Sequence, residues 1–487
     1  MFKSHRREKT YFFHLLFLPL FQIDFFSPYC SSICFCLLKG GSFAYLRVEL
    51  GDFIAFIAAG NIILEYVIGG AAVARSWSSY FATLCNHLPD DFRIKTGLAE
   101  NFNELDPIAV AILIITGIIA IWSTKASSLL NWTASLANMF IILFVIVAGL
   151  SKAEPSNLTP FLPFGVRGVF KAASVLFFAY IGFDAVATMA EETKNPGRDI
   201  PIGLLGSMFI TTVLYSLMAL TLSMMQKYTD IDPDAPFTLA FASRAGWDWA
   251  RYLVALGALK GMTTVLLVSA VGQARYLTHI SRTHMISPWF AHVSEKTGTP
   301  IRATVVMILA SAVVGFFSDL DILANLLSIS TLFIFMLVAV ALLVRRYYVS
   351  TATTAFNLRK FQLFLIIIML SSAGTAYYWA VSDGWIGYAI TLPIWFLATL
   401  GLSVFVPIAR KPQVWGCPLV PWLPSLSIIM NIFLLGSIDK LSFVRFAVWT
   451  LIMLVYYFLF GLHASYDTAI NIKEHATEEG RVLEMSS

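Results

Sequence analysis

The chain has 487 residues, of which 58% are hydrophobic, 14% aromatic and only 13% charged, with a mean hydropathy of +0.75 and a formal net charge of +4. Soluble domains run near ~25% charged and below ~50% apolar. A soluble multidomain enzyme is therefore excluded, and the composition indicates an all-α polytopic membrane bundle with room for roughly a dozen spans of ~20 residues. The mild positive excess fits cytoplasmic loop charge better than nucleic-acid binding. Cys30, Cys34, Cys36, Cys85 and Cys417 show neither a disulfide framework nor zinc-type spacing.

In chain order, residues 1–39 form a divergent N-terminal segment: MFKSHRREKT, then an apolar, Phe-rich run interrupted by His14, Pro19, Gln22, Asp24 and Pro28. Residues 40–463 form the transmembrane domain. Its apolar runs predict twelve spans, near 52–84, 107–122, 129–150, 168–190, 201–225, 252–279, 301–317, 322–344, 362–381, 386–408, 418–437 and 443–463. Residues 464–487 are polar and read as a short cytoplasmic tail. Alternate loops carry Lys194 and Arg198, then Arg275, Arg282, Lys296 and Arg302, then Arg345, Arg346, Arg359 and Lys360, then Arg410 and Lys411. The positive-inside rule places this set in the cytoplasm. The contrast is weaker in the first half, where Arg93, Lys95, Lys152, Arg167 and Lys171 fall on the opposite side. Asn157 opens a glycosylation sequon on that outer side.

A membrane span tolerates a break or a charge only where it lines a cavity. Three places stand out. In Phe177-Phe178-Ala179-Tyr180-Ile181-Gly182-Phe183-Asp184, Gly182 weakens the helix and Asp184 lies inside the apolar run. This reads either as a mid-depth interruption that holds a polar ligand or as a continuous helix with a packing glycine. Glu65 and Lys260 are opposite charges in two different spans. They read either as an interhelical ion pair or as a proton or substrate-ammonium site with a separate fixed cation. The stretch Glu191, Glu192, Thr193, Lys194, Asn195, Pro196, Gly197, Arg198, Asp199, Ile200, Pro201 carries an Asn-Pro-Gly turn signal. It reads as a hairpin with Pro201 in the first turn of the next helix, or as a cytoplasmic gate. His279, His284 and His292 read as loop residues. No Walker loop, nucleophile elbow or zinc-protease motif occurs. The chain is expected to be no enzyme and to need no metal and no cofactor.

The runs Gly40-Gly41-Ser42-Phe43-Ala44-Tyr45-Leu46 through Asn61-Ile62-Ile63-Leu64-Glu65-Tyr66, Phe177 to Pro201, and Gly272-Gln273-Ala274-Arg275-Tyr276 resemble the plant cationic amino acid transporters, within the amino acid–polyamine–organocation permeases. The likeness spans about residues 40 to 470. It implies an inverted-repeat permease fold, fourteen spans in the family, and a substrate site between two broken helices. Span 168–190 would be the sixth family helix. By that resemblance the site draws on Phe178, Ala179, Tyr180, Ile181, Gly182 and Asp184, with the carbonyls of Phe178 and Ile181 accepting bonds from a substrate ammonium group. Asn138 stands where some relatives carry a coupling lysine, which argues against borrowing their proton mechanism.

The implied cargo is arginine, lysine or a related cationic amino acid, carried across a lipid bilayer by alternating access. The driving force is the membrane potential and optionally protons. The plasma membrane is the first expected location, a vacuolar or other endomembrane the second. The family's first helix and most of its second have no counterpart in residues 1–39. A single span there would leave Gly40 on the wrong side, so a truncated product with weak transport is expected. Alternatives are a transport-inactive isoform bound to a full-length sibling, or a permease for neutral amino acids, GABA or polyamines.

Overall fold

A computed structural model describes residues 41–97, 99, 102–122, 128–180, 195–243, 246–294, 298–350, 352–382, 384–411 and 417–461. The divergent N-terminal segment and the polar tail lie outside these residues. Among them are fourteen α-helices: α1 (Gly41–Leu50), α2 (Asp52–Leu84), α3 (Pro107–Trp122), α4 (Ser128–Leu150), α5 (Gly165–Leu176), α6 (Pro196–Met225), α7 (Pro236–Ser243), α8 (Asp248–Ser281), α9 (Ile301–Phe317), α10 (Leu320–Tyr347), α11 (Ala355–Val381), α12 (Ile386–Phe405), α13 (Trp422–Leu435) and α14 (Lys440–Tyr456). A two-stranded antiparallel hairpin, β1 (Ile94–Lys95) with β2 (Glu104–Leu105), pairs Ile94 with Leu105. Each apolar run expected to span the membrane overlaps a helix among the described residues, because a chain in lipid must satisfy its own backbone and the helix does so locally.

Seven of the helices are long and apolar enough to cross a membrane, and four shorter ones are apolar. Burial sorts them. In α10 72% of the most apolar stretch is buried, in α2 56%, but in α14 only 6%. So α10 and α2 form the interior, and α14 presents its side chains outward. α10 packs on α2, α13, α14 and α1, and α8 packs on α2, α4, α7 and α9.

Two features set the helix spacing. Gly257 and Gly261 stand four residues apart on one face of α8. A Cβ on Gly257 would meet Ile141 at 2.6 Å, and one on Gly261 would lie 3.2 Å from Asn138 Oδ1. This small-xxx-small spacing lets α4 approach α8 closely. At the start of the bundle, α1 is held by Glu49, whose carboxylate accepts from Arg345 of α10 at 2.8 Å and lies 3.8 Å from Arg410. Arg345 also stacks over Tyr45, 5.8 Å from the ring centroid.

The start of α6 departs from expectation. Asn-Pro-Gly was expected to make a hairpin, with Pro201 opening the next helix. Instead Asn195 is the N-cap, Pro196 begins the helix, and Pro201 lies inside it. Pro196 needs no amide partner at that position. The carbonyl of Asn195 accepts from Arg198 and Asp199 at 3.1 and 2.9 Å, which closes the first turn. Arg198 is exposed on that turn. Glu191 and Glu192 lie outside the described residues.

Candidate functional site

The helix that carries the expected break is α5. Its α-helical register ends at Leu176, and Phe177–Tyr180 wind into a tighter 3-10 turn. Two contacts from α10 meet that change. The hydroxyl of Ser328 donates to the carbonyl of Val175 at 2.6 Å. The ring of Phe335 meets that of Phe177 edge-on, with centroids 5.3 Å apart. Ala173, Phe177, Ile329, Leu332 and Phe335 share one apolar cluster with Ile200 and Leu204 of α6. Phe178, Ala179 and Tyr180 therefore lie on the altered turn. Ile181, Gly182 and Asp184 lie outside the described residues.

Glu65 and Lys260 do not form the interhelical pair that opposite charges suggested. α2 and α8 run antiparallel, as two contacts establish. Trp77 Nε1 donates to Thr263 at 3.0 Å, and the rings of Tyr66 and Tyr276 lie 5.8 Å apart. Glu65 is thus level with the region of Tyr276, and Lys260 with that of Tyr80. About sixteen residues at ~1.5 Å rise separate the two by roughly 24 Å along the bundle. Both are half-buried. Asn138 packs on Gly261, the residue that follows Lys260 in α8.

Asn157 is buried at 4% exposure, and its amide donates to the carbonyl of Met224 at 2.8 Å. A glycan on that nitrogen would displace this bond, so the local fold uses Asn157 as a packing residue. His279 packs edge-on against Phe43, and no metal-binding group of His, Cys, Asp or Glu occurs among the described residues.

A polar network that sequence reading missed joins distant segments at the far end of α2. Arg75, only 1% exposed, donates to the carbonyl of Ser318 at 2.8 Å and of Glu104 at 3.2 Å, and lies 3.4 Å from Asp319. Arg93 binds Asp234 at 2.8 Å, Asp90 at 2.9 Å and Glu104 at 3.2 Å, and donates to Ser79. Asp106 accepts from Ser78 at 2.9 Å and caps the start of α3 through the Ala109 amide. Arg93 had weakened the loop-charge contrast. Its charge is spent on three carboxylates of the same end, so it does not count as a free loop cation. The only sequence signal was the local density of Asp, Glu and Arg in residues 89–106.

Burial pushes the Asp319 carboxyl up to about 6, against the opposing pull of Arg75. A carboxyl raised in the folded state holds its proton more tightly there than in the unfolded chain. Its contribution to stability is therefore present in acid and is lost as pH rises from ~4 to ~6. The difference in unfolding midpoint between wild type and Asp319→Asn should change across that window and be flat above it. A difference constant from pH 4 to 7 would contradict this assignment.

The amino acid permease family matches residues 38–350, and the family of permease C-termini matches residues 415–465. Cationic amino acid transporter 1 of Arabidopsis thaliana is 66% identical over 453 residues, covering 92% of this chain and 76% of the relative. Cationic amino acid transporter 5 of the same plant is 63% identical over 434 residues, covering 89% and 76%. Its vacuolar cationic amino acid transporter 8 is 55% identical over 445 residues, covering 91% and 75%. An all-α bundle, a helix packed on α10 that gives up its α-register, and these matches converge: the chain is an integral membrane protein that belongs to the amino acid permeases, within the cationic amino acid transporters.

Proposed function

We propose that the protein carries cationic amino acids, arginine and lysine, across a membrane by alternating access. The observation that carries the reading is the end of α-helix at Leu176 within a segment packed against the interior helix α10. A helix that gives up its i to i+4 bonds frees main-chain oxygens, and these suit an ammonium group. In this reading the carbonyls of Phe178 and Ile181 bind the substrate α-ammonium, beside Ala179 and Gly182, with Tyr180 and Asp184 bordering the cavity. Glu65 is the candidate for a proton or a second ammonium contact. Lys260 and Asn138 act at another depth. The basic ends of α8 and α11, with Arg275, Arg282, Arg359 and Lys360, face the cytoplasm, and the plasma membrane is the first location to examine.

The purified chain in vesicles is expected to take up labelled arginine, with lysine competing strongly and neutral amino acids, GABA and polyamines weakly. Uptake displaced equally by neutral amino acids would reassign the substrate class. Absence of both arginine uptake and arginine binding would sink the reading.

A further inference from the structure

α10 is rich in buried hydroxyl and amide groups, and most of them are spent locally. Thr331 donates to the Leu327 carbonyl at 2.9 Å and Asn325 to the Asp321 carbonyl at 2.8 Å, each one turn back on its own helix. That is the ordinary fate of such side chains in a helix. Ser328, fully buried, departs from it. Its hydroxyl crosses to the Val175 carbonyl, 153 positions away in sequence, at 2.6 Å. Val175 is 4% exposed and is the last residue but one of α5, two positions before the 3-10 turn begins at Phe177. In a continuous α-helix its carbonyl would accept from the amide of Ala179, four residues on. The 3-10 turn removes that partner's register. A buried carbonyl left short of a donor is costly, and Ser328 supplies a donor from a rigid neighbour.

The same helix supplies the packing that fixes the turn's direction. Phe335, two turns beyond Ser328, meets Phe177, and Ile329 and Leu332 complete the apolar bed. One polar and several apolar contacts from α10 thus converge on Ala173, Val175 and Phe177, where the α-helical register ends.

We infer that Ser328 is a positioning residue for substrate binding: its hydroxyl, by holding the Val175 carbonyl, stabilises the interruption of α5 and so sets where the next carbonyls point. It acts through the backbone of the break and does not itself contact the cargo. The inference rests on the proposed substrate site and concerns its described turn, Phe177–Tyr180, to which it adds a residue that holds the geometry. Ser330 provides the internal control. It is fully buried on the same helix, and its hydroxyl has no hydrogen-bond partner among the described residues.

The test compares Ser328→Ala, Ser328→Thr and Ser330→Ala in the full chain, by equilibrium arginine binding and by hydrogen exchange of residues 177–180. Ser328→Ala should weaken arginine binding roughly three- to tenfold, the worth of one buried hydrogen bond, and speed exchange at 177–180. Ser328→Thr, which keeps the hydroxyl, should restore both, and Ser330→Ala should leave both unchanged. A fall in thermal stability of Ser328→Ala with unchanged affinity and exchange would show a purely structural bond and overturn the inference. Normal arginine binding by wild type, with unaltered exchange in Ser328→Ala, would overturn this inference alone. Failure of wild type to bind arginine would overturn the substrate reading beneath it.

Discussion

Arg75→Met should destabilise the protein by about 3–5 kcal/mol, the cost of leaving a buried charge network without one partner. Arg75 projects from α2 into a site with 1% exposure. Its guanidinium serves the carbonyls of Glu104, Gly315 and Ser318, at 3.2, 3.4 and 2.8 Å, and faces Asp319. It therefore ties the β-hairpin, the end of α9 and the start of α10 to one point on α2. Methionine matches the apolar stem but donates nothing, so three carbonyls and a carboxylate lose a shared donor. Lysine keeps the charge but not the planar fork that reaches several acceptors at once, so Arg75→Lys should recover only part of the loss. The comparison is Arg282→Met, an exposed position just past α8, where the change should be within ~0.5 kcal/mol. The readout is the temperature at which purified protein loses its monodisperse peak. Equal losses at the two positions would disprove the keystone role of Arg75.

The second large effect concerns energetics of transport. One positive charge crossing a potential on the order of −150 mV gains about 3.5 kcal/mol, at ~2.3 kcal/mol per 100 mV. That corresponds to roughly 300-fold accumulation without any coupled ion. Vesicles with an imposed potassium diffusion potential should therefore concentrate arginine steeply, and collapse of the potential should return the ratio to about one. An imposed proton gradient adds to this only if a side chain carries a proton along with the cargo. Glu65, half-buried in α2, is the position to test. If the proton gradient raises accumulation, Glu65→Gln should remove that increment and leave the potential-driven part. Accumulation indifferent to potential would rule out electrogenic carriage. A proton-driven increment that survives Glu65→Gln would clear Glu65 of coupling.

Glu65 and Lys260, read either as an ion pair or as two separate sites, show where a one-dimensional reading stops. Glu65 and Lys260 are conspicuous because a charge in lipid is expensive, and residue type alone announces that much. Whether they meet depends on the alignment of α2 against α8. The Trp77–Thr263 and Tyr66–Tyr276 contacts place them at different levels. The Asn195-Pro196 step is a smaller case. It was read as a turn, yet the same residues suit a helix start, and the structure uses them that way. Gly257 and Gly261 stand four positions apart in the chain, but only the packed helices show their partner, α4 with Asn138 and Ile141.

The amino-acid sequence by itself determined that this is a helical membrane bundle, where its apolar segments lie, and which family it resembles. Those properties are local: twenty apolar residues in lipid have few alternatives to a helix, whatever surrounds them. Tertiary structure alone decided what faces what. Ser328 reaches Val175 across 153 positions and Arg75 reaches Ser318 across 243. Contacts of that range leave no periodicity in the chain, because they are fixed by how separate helices pack.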